Sequence, residues 1–130
     1  MKNPQTILLA DDDADYLFQL QHRLKKWGFN VITADSQKEA EKILNHLKPD
    51  LAIYDLMMEN DDSGFILSYK TRQKYPRVPI IIATAVASET GISFELQSES
   101  ERKWIKADLY LEKGIRPEQL QREINKLLRI

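Results

Sequence analysis

The chain has 130 residues, 42% of them hydrophobic and 30% charged, with a net charge of −1 at pH 7 and no cysteine. That length and composition suit one globular domain built on one core, and the even charge balance argues against a nucleic-acid or membrane surface. The missing thiols exclude a disulfide framework, thiolate metal sites and cysteine catalysis, and fit a reducing compartment such as the cytoplasm.

No apolar segment of signal-peptide length precedes the first predicted strand. That strand, Thr6–Ala10, runs straight into Asp11, Asp12 and Asp13. Two unit charges about 5 Å apart at an effective dielectric of about 20 repel by roughly 3 kcal/mol, so solvent, a helix N-terminus or a cation must offset the cluster. A helix is predicted from Ala14 to Trp27: Leu17, Leu20, Leu24 and Trp27 repeat at helical spacing and Gly28 stands where a C-terminal cap belongs. Val31–Ala34 reads as a second strand. Ser36 and Glu39 form a capping-box pattern before a helix over Gln37–Leu47, whose apolar stripe is Ala40, Ile43, Leu44 and Leu47. Leu51–Asp55 is a third strand, and a helix from Phe65 to Tyr75 stops before Pro76. Ile80–Thr84 is a fourth strand. It lies within the longest apolar run, 78–87, which is too short to span a bilayer. The polar stretch 86–106 is expected to hold a helix in part, with Trp104 packing it or facing a partner. Leu109–Leu111 is a fifth strand, and a last helix starts near Pro117 with Leu120, Ile124, Leu127 and Leu128 on one face. His22 and His46 fall within helices and are expected at the surface, and Trp27 in the core.

Five short apolar strands alternating with helices imply an α/β domain with a doubly wound parallel sheet. Such sheets bind ligands outside the carboxyl ends of their strands. Asp11 and Asp12, Asp55, Thr84 and Lys113 all stand at such ends. Singly, each has an ordinary role: acids at a helix start, a turn aspartate, a β-branched strand residue, a solvated lysine. Asp13 is expected to act mainly as the cap of the first helix. Jointly, hard carboxylate oxygens suit Mg²⁺, and an ammonium beside a hydroxyl suits phosphoryl oxygens.

Four segments in order, "ILLADDD", "LAIYDLMMENDDSGF", "IIIATA" and "YLEKG", resemble the receiver domain of two-component response regulators, of the chemotaxis-regulator type, over essentially the whole chain. The resemblance implies a single domain over 1–130 with the flavodoxin-like strand order 2-1-3-4-5 and helices on both faces. It implies that Asp55 accepts a phosphoryl group from a histidine kinase or, in a phosphorelay, a histidine-phosphotransfer protein. Asp12, Asp55 and the Met57 backbone carbonyl would hold Mg²⁺ directly, and Asp11 mainly through water. Lys113 would pair with the phosphoryl oxygens or, beforehand, with Asp55. Thr84 would donate its hydroxyl to the phosphoryl group, Ala85 would leave room for it, and Tyr110 would turn inward on activation. The output would pass to an unidentified downstream protein or an attached output domain, without direct contact to nucleic acid or membrane. The chain would catalyse only its own phosphorylation and dephosphorylation, so it would not be an enzyme in the ordinary sense. Met57 and Val86 would flank the path of the hydrolytic water and, being apolar, would make the phosphoryl group long-lived.

Two departures from the family pattern bear on geometry. The loop after Asp55 is one residue longer than usual, with Glu59 in place of a common proline. Lys113 precedes Gly114 rather than a proline in a cis bond, so a trans bond is expected, with Gly114 in unusual dihedrals. Two other functions compete. One is a degenerate receiver that binds partners without phosphorylation; the complete set of site residues argues against it. The other is an aspartate-nucleophile phosphohydrolase using Asp11 and Asp13, but "DDDAD" ends in Asp15 where that pattern has Thr or Val, and no segment is left for a substrate cap.

Overall fold

The computed structural model describes residues 4–85 and 107–130. The helix expected within 86–106, Trp104 and Val86 lie outside the described residues. The elements run β1 (Thr6–Ala10), α1 (Ala14–Lys26), β2 (Asn30–Ala34), α2 (Gln37–Leu44), β3 (Leu51–Asp55), α3 (Ser63–Lys74), β4 (Ile80–Thr84), β5 (Leu109–Glu112) and α4 (Pro117–Leu128). All strands pair in parallel, in the order β2-β1-β3-β4-β5.

Period-two alternation sorts the strand side chains onto two faces. Ile7, Leu9, Leu51, Ile53, Ile81 and Ala83 pack with Leu20 and Leu24 of α1 and with Leu120 and Ile124 of α4. Leu8, Ala10, Ala52, Tyr54 and Ile80 pack with Ala40 and Leu44 of α2 and Leu67 of α3. Helices therefore cover both faces, which is why β3 and β4 read as unbroken apolar runs rather than alternating ones. Trp27 packs against the first core, and His22 and His46 are exposed.

The helix ends follow their local chemistry. Asp13 caps α1, accepting from the amides of Asp15 and Tyr16. At the other end Gly28 takes φ 96°, its N–H donates to the Lys25 carbonyl at 3.0 Å and the Phe29 N–H to the Leu24 carbonyl at 3.2 Å. Glycine pays no steric penalty there. Ser36 Oγ accepts from the Glu39 N–H at 3.1 Å, which is half of the expected capping box. The Glu39 carboxyl instead meets Asp35, and that hydrogen bond and charge raise its pKa. Helix α2 ends at Leu44 rather than Leu47; turn bonds from the amides of Asn45, His46 and Leu47 close it. Helix α3 begins at Ser63, two residues before the expected Phe65.

The buried face of α3 is small and polar: Ser63, Gly64, Leu67, Ser68 and Thr71. Thr71 Oγ1 donates to the Leu67 carbonyl at 2.6 Å, so the Tyr54 hydroxyl, 2.6 Å from it, donates to Thr71. Tyr54 is fully buried. Tyr54→Phe removes this donor and is expected to cost about 1–1.5 kcal/mol, read as a lower urea midpoint with an unchanged slope. An unshifted midpoint would show that the bond adds no net stability.

Candidate functional site

The carboxyl ends of the central strands are laced together one residue beyond the regular ladder. The Asp11 N–H donates to the Ala34 carbonyl at 3.1 Å, the Leu56 N–H to Ala83 at 3.1 Å and the Lys113 N–H to Thr84 at 2.8 Å. Ala10 pairs with Tyr54 and Asp55 with Ala83, so the acids that follow β1 face the end of β3. The backbone itself thus carries Asp11, Asp12, Asp55, Thr84 and Lys113 to one rim.

Carboxylate oxygens of Asp11, Asp12 and Asp55 lie within 4.8 Å of one another. Asp11 is 1% exposed. Its Oδ1 accepts from the Asp13 N–H at 2.9 Å, and its Oδ2 lies 2.7 Å from Lys113 Nζ. Lys113 Nζ is also 3.3 Å from Asp55 Oδ1. The expected Lys113–Asp55 pair is therefore present, and the ammonium also bridges to Asp11, to which it sits closer. Burial lowers the Lys113 pKa, but the hydrogen bond and charge of Asp11, with those of Asp55, leave it raised. For Asp55, burial and then the Asp11 charge push the carboxyl up to about 7; Lys113 works against them and Asp12 adds a smaller push. Both Asp11 oxygens are engaged, while Asp12 is exposed. The three carboxylates form a hard-oxygen donor set that fits a divalent cation such as Mg²⁺.

Thr84 is buried at the end of β4, and Ala85 beside it is exposed. Tyr110 is half-buried, with its ring edge-on to Phe65 at a centroid distance of 6.5 Å; burial pushes its hydroxyl up to about 12. Met57 stands on the rim, 42% exposed. The Lys113–Gly114 bond is trans, as expected. Gly114 does not adopt positive φ, so it needs no glycine-only backbone to aim Lys113.

Three features were not read from the sequence. Lys113 Nζ lies 4.7 Å from the centroid of the Tyr16 ring, a cation–π contact that adds an apolar wall to the ammonium's site. Burial, followed by the Asp11 and Asp55 charges, raises the Tyr16 hydroxyl to about 12. Glu59 neither faces the site nor hangs free: its Oε1 and Oε2 accept from the Gln37 and Lys38 amides at 2.7 and 3.1 Å. Burial raises its pKa, but these bonds and one from its own amide bring it below the ordinary value. A Cβ on Gly64 would stand 2.7 Å from the Asp55 carbonyl oxygen and 2.8 Å from Leu56 Cα. The glycine after the acidic loop was the one available hint of that close approach; Tyr16 and Glu59 carry no local signal of their partners.

A sequence model of the response regulator receiver domain matches residues 7–125. The transcriptional regulatory protein GlrR of Escherichia coli is 41% identical over 85 residues, 65% of this chain and 19% of the relative. The alkaline phosphatase synthesis transcriptional regulatory protein PhoP of Bacillus subtilis is 31% identical over 95% of this chain and 48% of its own length. This chain thus spans about half or less of these curated relatives. A CheY-like receiver domain protein from Methanospirillum hungatei superposes with a TM-score of 0.80 at 22% identity, covering 97% of this chain and 94% of that one. The response regulator TrrA of Thermotoga maritima, in complex with Mg²⁺ and BeF, gives 0.78 at 25% identity over 95% and 98%.

Proposed function

The chain belongs to the response regulator receiver domain family, and from that membership we propose that it is a phosphoacceptor switch in which Asp55 takes a phosphoryl group from a histidine kinase or histidine-phosphotransfer protein. The observation that carries this reading is the Lys113 ammonium bridging Asp11 and Asp55 beside the exposed carboxylate of Asp12. A carboxylate oxygen of Asp55 attacks phosphorus. The phosphorus–nitrogen bond of the donor breaks, and its electron pair leaves with the imidazole. Lys113 is already at the rim and follows the new negative charge onto the phosphoryl oxygens; Thr84 donates its hydroxyl to them. Asp12, Asp55 and the Met57 carbonyl would hold Mg²⁺, which would supply the positive charge that the transferred group needs.

The same reading gives Thr84 and Tyr110 the switching role. A charge-assisted hydrogen bond to Thr84 is worth about 1.5–3 kcal/mol, enough to bias two states of similar energy. Tyr110 then turns and alters the surface offered to a downstream protein or attached output domain. The phosphohydrolase alternative needs a second acid at Asp13, whose Oδ1 instead accepts from the amides of Asp15 and Tyr16 as the α1 cap.

Incubation with acetyl phosphate and Mg²⁺ is expected to add one phosphoryl mass to the protein, and EDTA to prevent it. An unchanged intact mass with acetyl phosphate and with phosphoramidate would overturn the proposal. Steady turnover of a small phosphate ester would favour the hydrolase instead.

A further inference from the structure

The acidic loop 56–62 is tied down at both ends and, in the middle, both to itself, where the Asn60 N–H donates to Ser63 Oγ at 3.1 Å, and to α2. At its start the Leu56 N–H donates to the Ala83 carbonyl at 3.1 Å, and at its end the Gly64 N–H returns to the Leu56 carbonyl at 2.8 Å. The tie to α2 is made by Glu59, which receives the Gln37 and Lys38 amides at the first turn of α2, across 22 and 21 residues of sequence. Asn60 Nδ2 adds a bond to Gln37 Oε1 at 3.3 Å, so two consecutive loop residues grip the same helical turn. Met57 lies between these anchors. Its side chain is 42% exposed and contributes little burial to hold the backbone in place. The next residue is fixed by the Met58 N–H donating to the Asn60 carbonyl at 3.1 Å. The orientation of the Met57 peptide is therefore set by Leu56 on one side and by the Glu59–Asn60 grip on the other.

We infer that Glu59 is a positioning residue for the cation site: its carboxylate straps loop 56–62 to the start of α2 and so holds the Met57 backbone carbonyl toward Asp12 and Asp55. The inference rests on the proposed assignment of those three as Mg²⁺ ligands. Ser36 Oγ serves the Glu39 amide, and Glu59 takes the two first-turn amides that Ser36 leaves open, so the one carboxylate both caps α2 and ties the loop to it. The strap joins two segments that share no strand pairing, and its loss frees the loop as well as leaving two first-turn amides of α2 without their acceptor.

The test is an NMR titration of the full chain with Mg²⁺, following the Leu56–Met58 amides for binding and the Gln37 and Lys38 amides for the strap. Wild type, Glu59→Ala, Glu59→Gln and Ser36→Ala are compared. Groups that orient a metal ligand typically contribute tenfold or more to affinity. Glu59→Ala is therefore expected to shift the Gln37 and Lys38 amides and raise the Mg²⁺ dissociation constant about tenfold. Glu59→Gln keeps one acceptor oxygen and recovers part of the loss. Ser36→Ala weakens the cap of α2 without touching the loop and leaves Mg²⁺ affinity unchanged. Wild-type affinity in Glu59→Ala, with the two amides shifted, would overturn the inference alone, as would an equal loss in Ser36→Ala. Absence of Mg²⁺ binding in the wild type would overturn the proposed cation site and the inference together.

Discussion

Asp55→Asn abolishes phosphoryl uptake from acetyl phosphate and, in the same protein, raises stability in the absence of metal. The first effect is chemical. Asn keeps the shape of the side chain but offers a neutral amide where the reaction needs an anionic oxygen, so intact mass spectrometry should show no added phosphoryl group. Undiminished labelling of the variant would place the acceptor elsewhere. The second effect is electrostatic. Burial and the Asp11 charge hold the Asp55 carboxyl up at about 7, against roughly 3.9 in an unfolded chain. A folded-state pKa above the unfolded value favours the folded protein while the group is protonated. That contribution is fully present below about pH 4 and is lost as the pH rises through about 7. At about 1.4 kcal/mol per pH unit the loss is at most about 4 kcal/mol, and sharing of the site with Asp11 and Lys113 places it on the order of 2–4 kcal/mol. The Asn variant has no such titration. In EDTA the stability gap between variant and wild type should therefore open between pH 4.5 and 7.5, and Mg²⁺ should narrow it by neutralising the acids. Urea unfolding at three pH values measures the gap, and a pH-independent gap would refute the electrostatic account.

Gly64→Ala destabilises the protein by about 2 kcal/mol, although alanine is the better helix former by about 1 kcal/mol. Both short contacts of the added Cβ are to backbone, the Asp55 carbonyl oxygen at 2.7 Å and Leu56 Cα at 2.8 Å. Neither neighbour can swing aside as a side chain would, so relief requires α3 to back away from the end of β3. Overpacking of this kind typically costs 1–3 kcal/mol, and Gly64→Val, with two more carbons, is expected to cost more. Because the displaced strand end carries Asp55, phosphoryl uptake should slow even in the fraction that remains folded. Gly114→Ala is the matched control. Nothing lies within 4 Å of its Cβ and its φ is not positive, so the change should stay within about 0.5 kcal/mol of neutral. Equal urea midpoints for Gly64→Ala and wild type would show that α3 yields without strain.

The five strands and the rim of the site were legible in the sequence because both are local signals. An apolar run that ends in an acid reads the same whatever surrounds it. β1, β3 and β4 lie where the apolar runs predict, and β2 and β5 each gain one terminal residue. Asp11, Asp12, Asp55, Thr84 and Lys113 stand at strand ends, so the parallel topology alone was enough to gather them. The caps at Asp13, Ser36 and Gly28 were equally readable, since each acts within a few residues of itself.

Tertiary structure decided what no periodicity carries. Helix α3 starts at Ser63 because Ser63 and Gly64 fit against the end of β3; small and polar residues on a buried face leave no apolar stripe to read. Lys113 stands 2.7 Å from Asp11 Oδ2 and 3.3 Å from Asp55 Oδ1, a preference that only the packing of the β1, β3 and β5 ends could set. The aromatic wall of Tyr16 and the strap from Glu59 to α2 join residues distant in sequence, and they exist only once the sheet has set its strands in the order β2-β1-β3-β4-β5. Patterns that repeat along one element name the element and its exposed charges. Which charge meets which partner depends on distances of 3 to 5 Å between elements, and those are set by how the two cores pack.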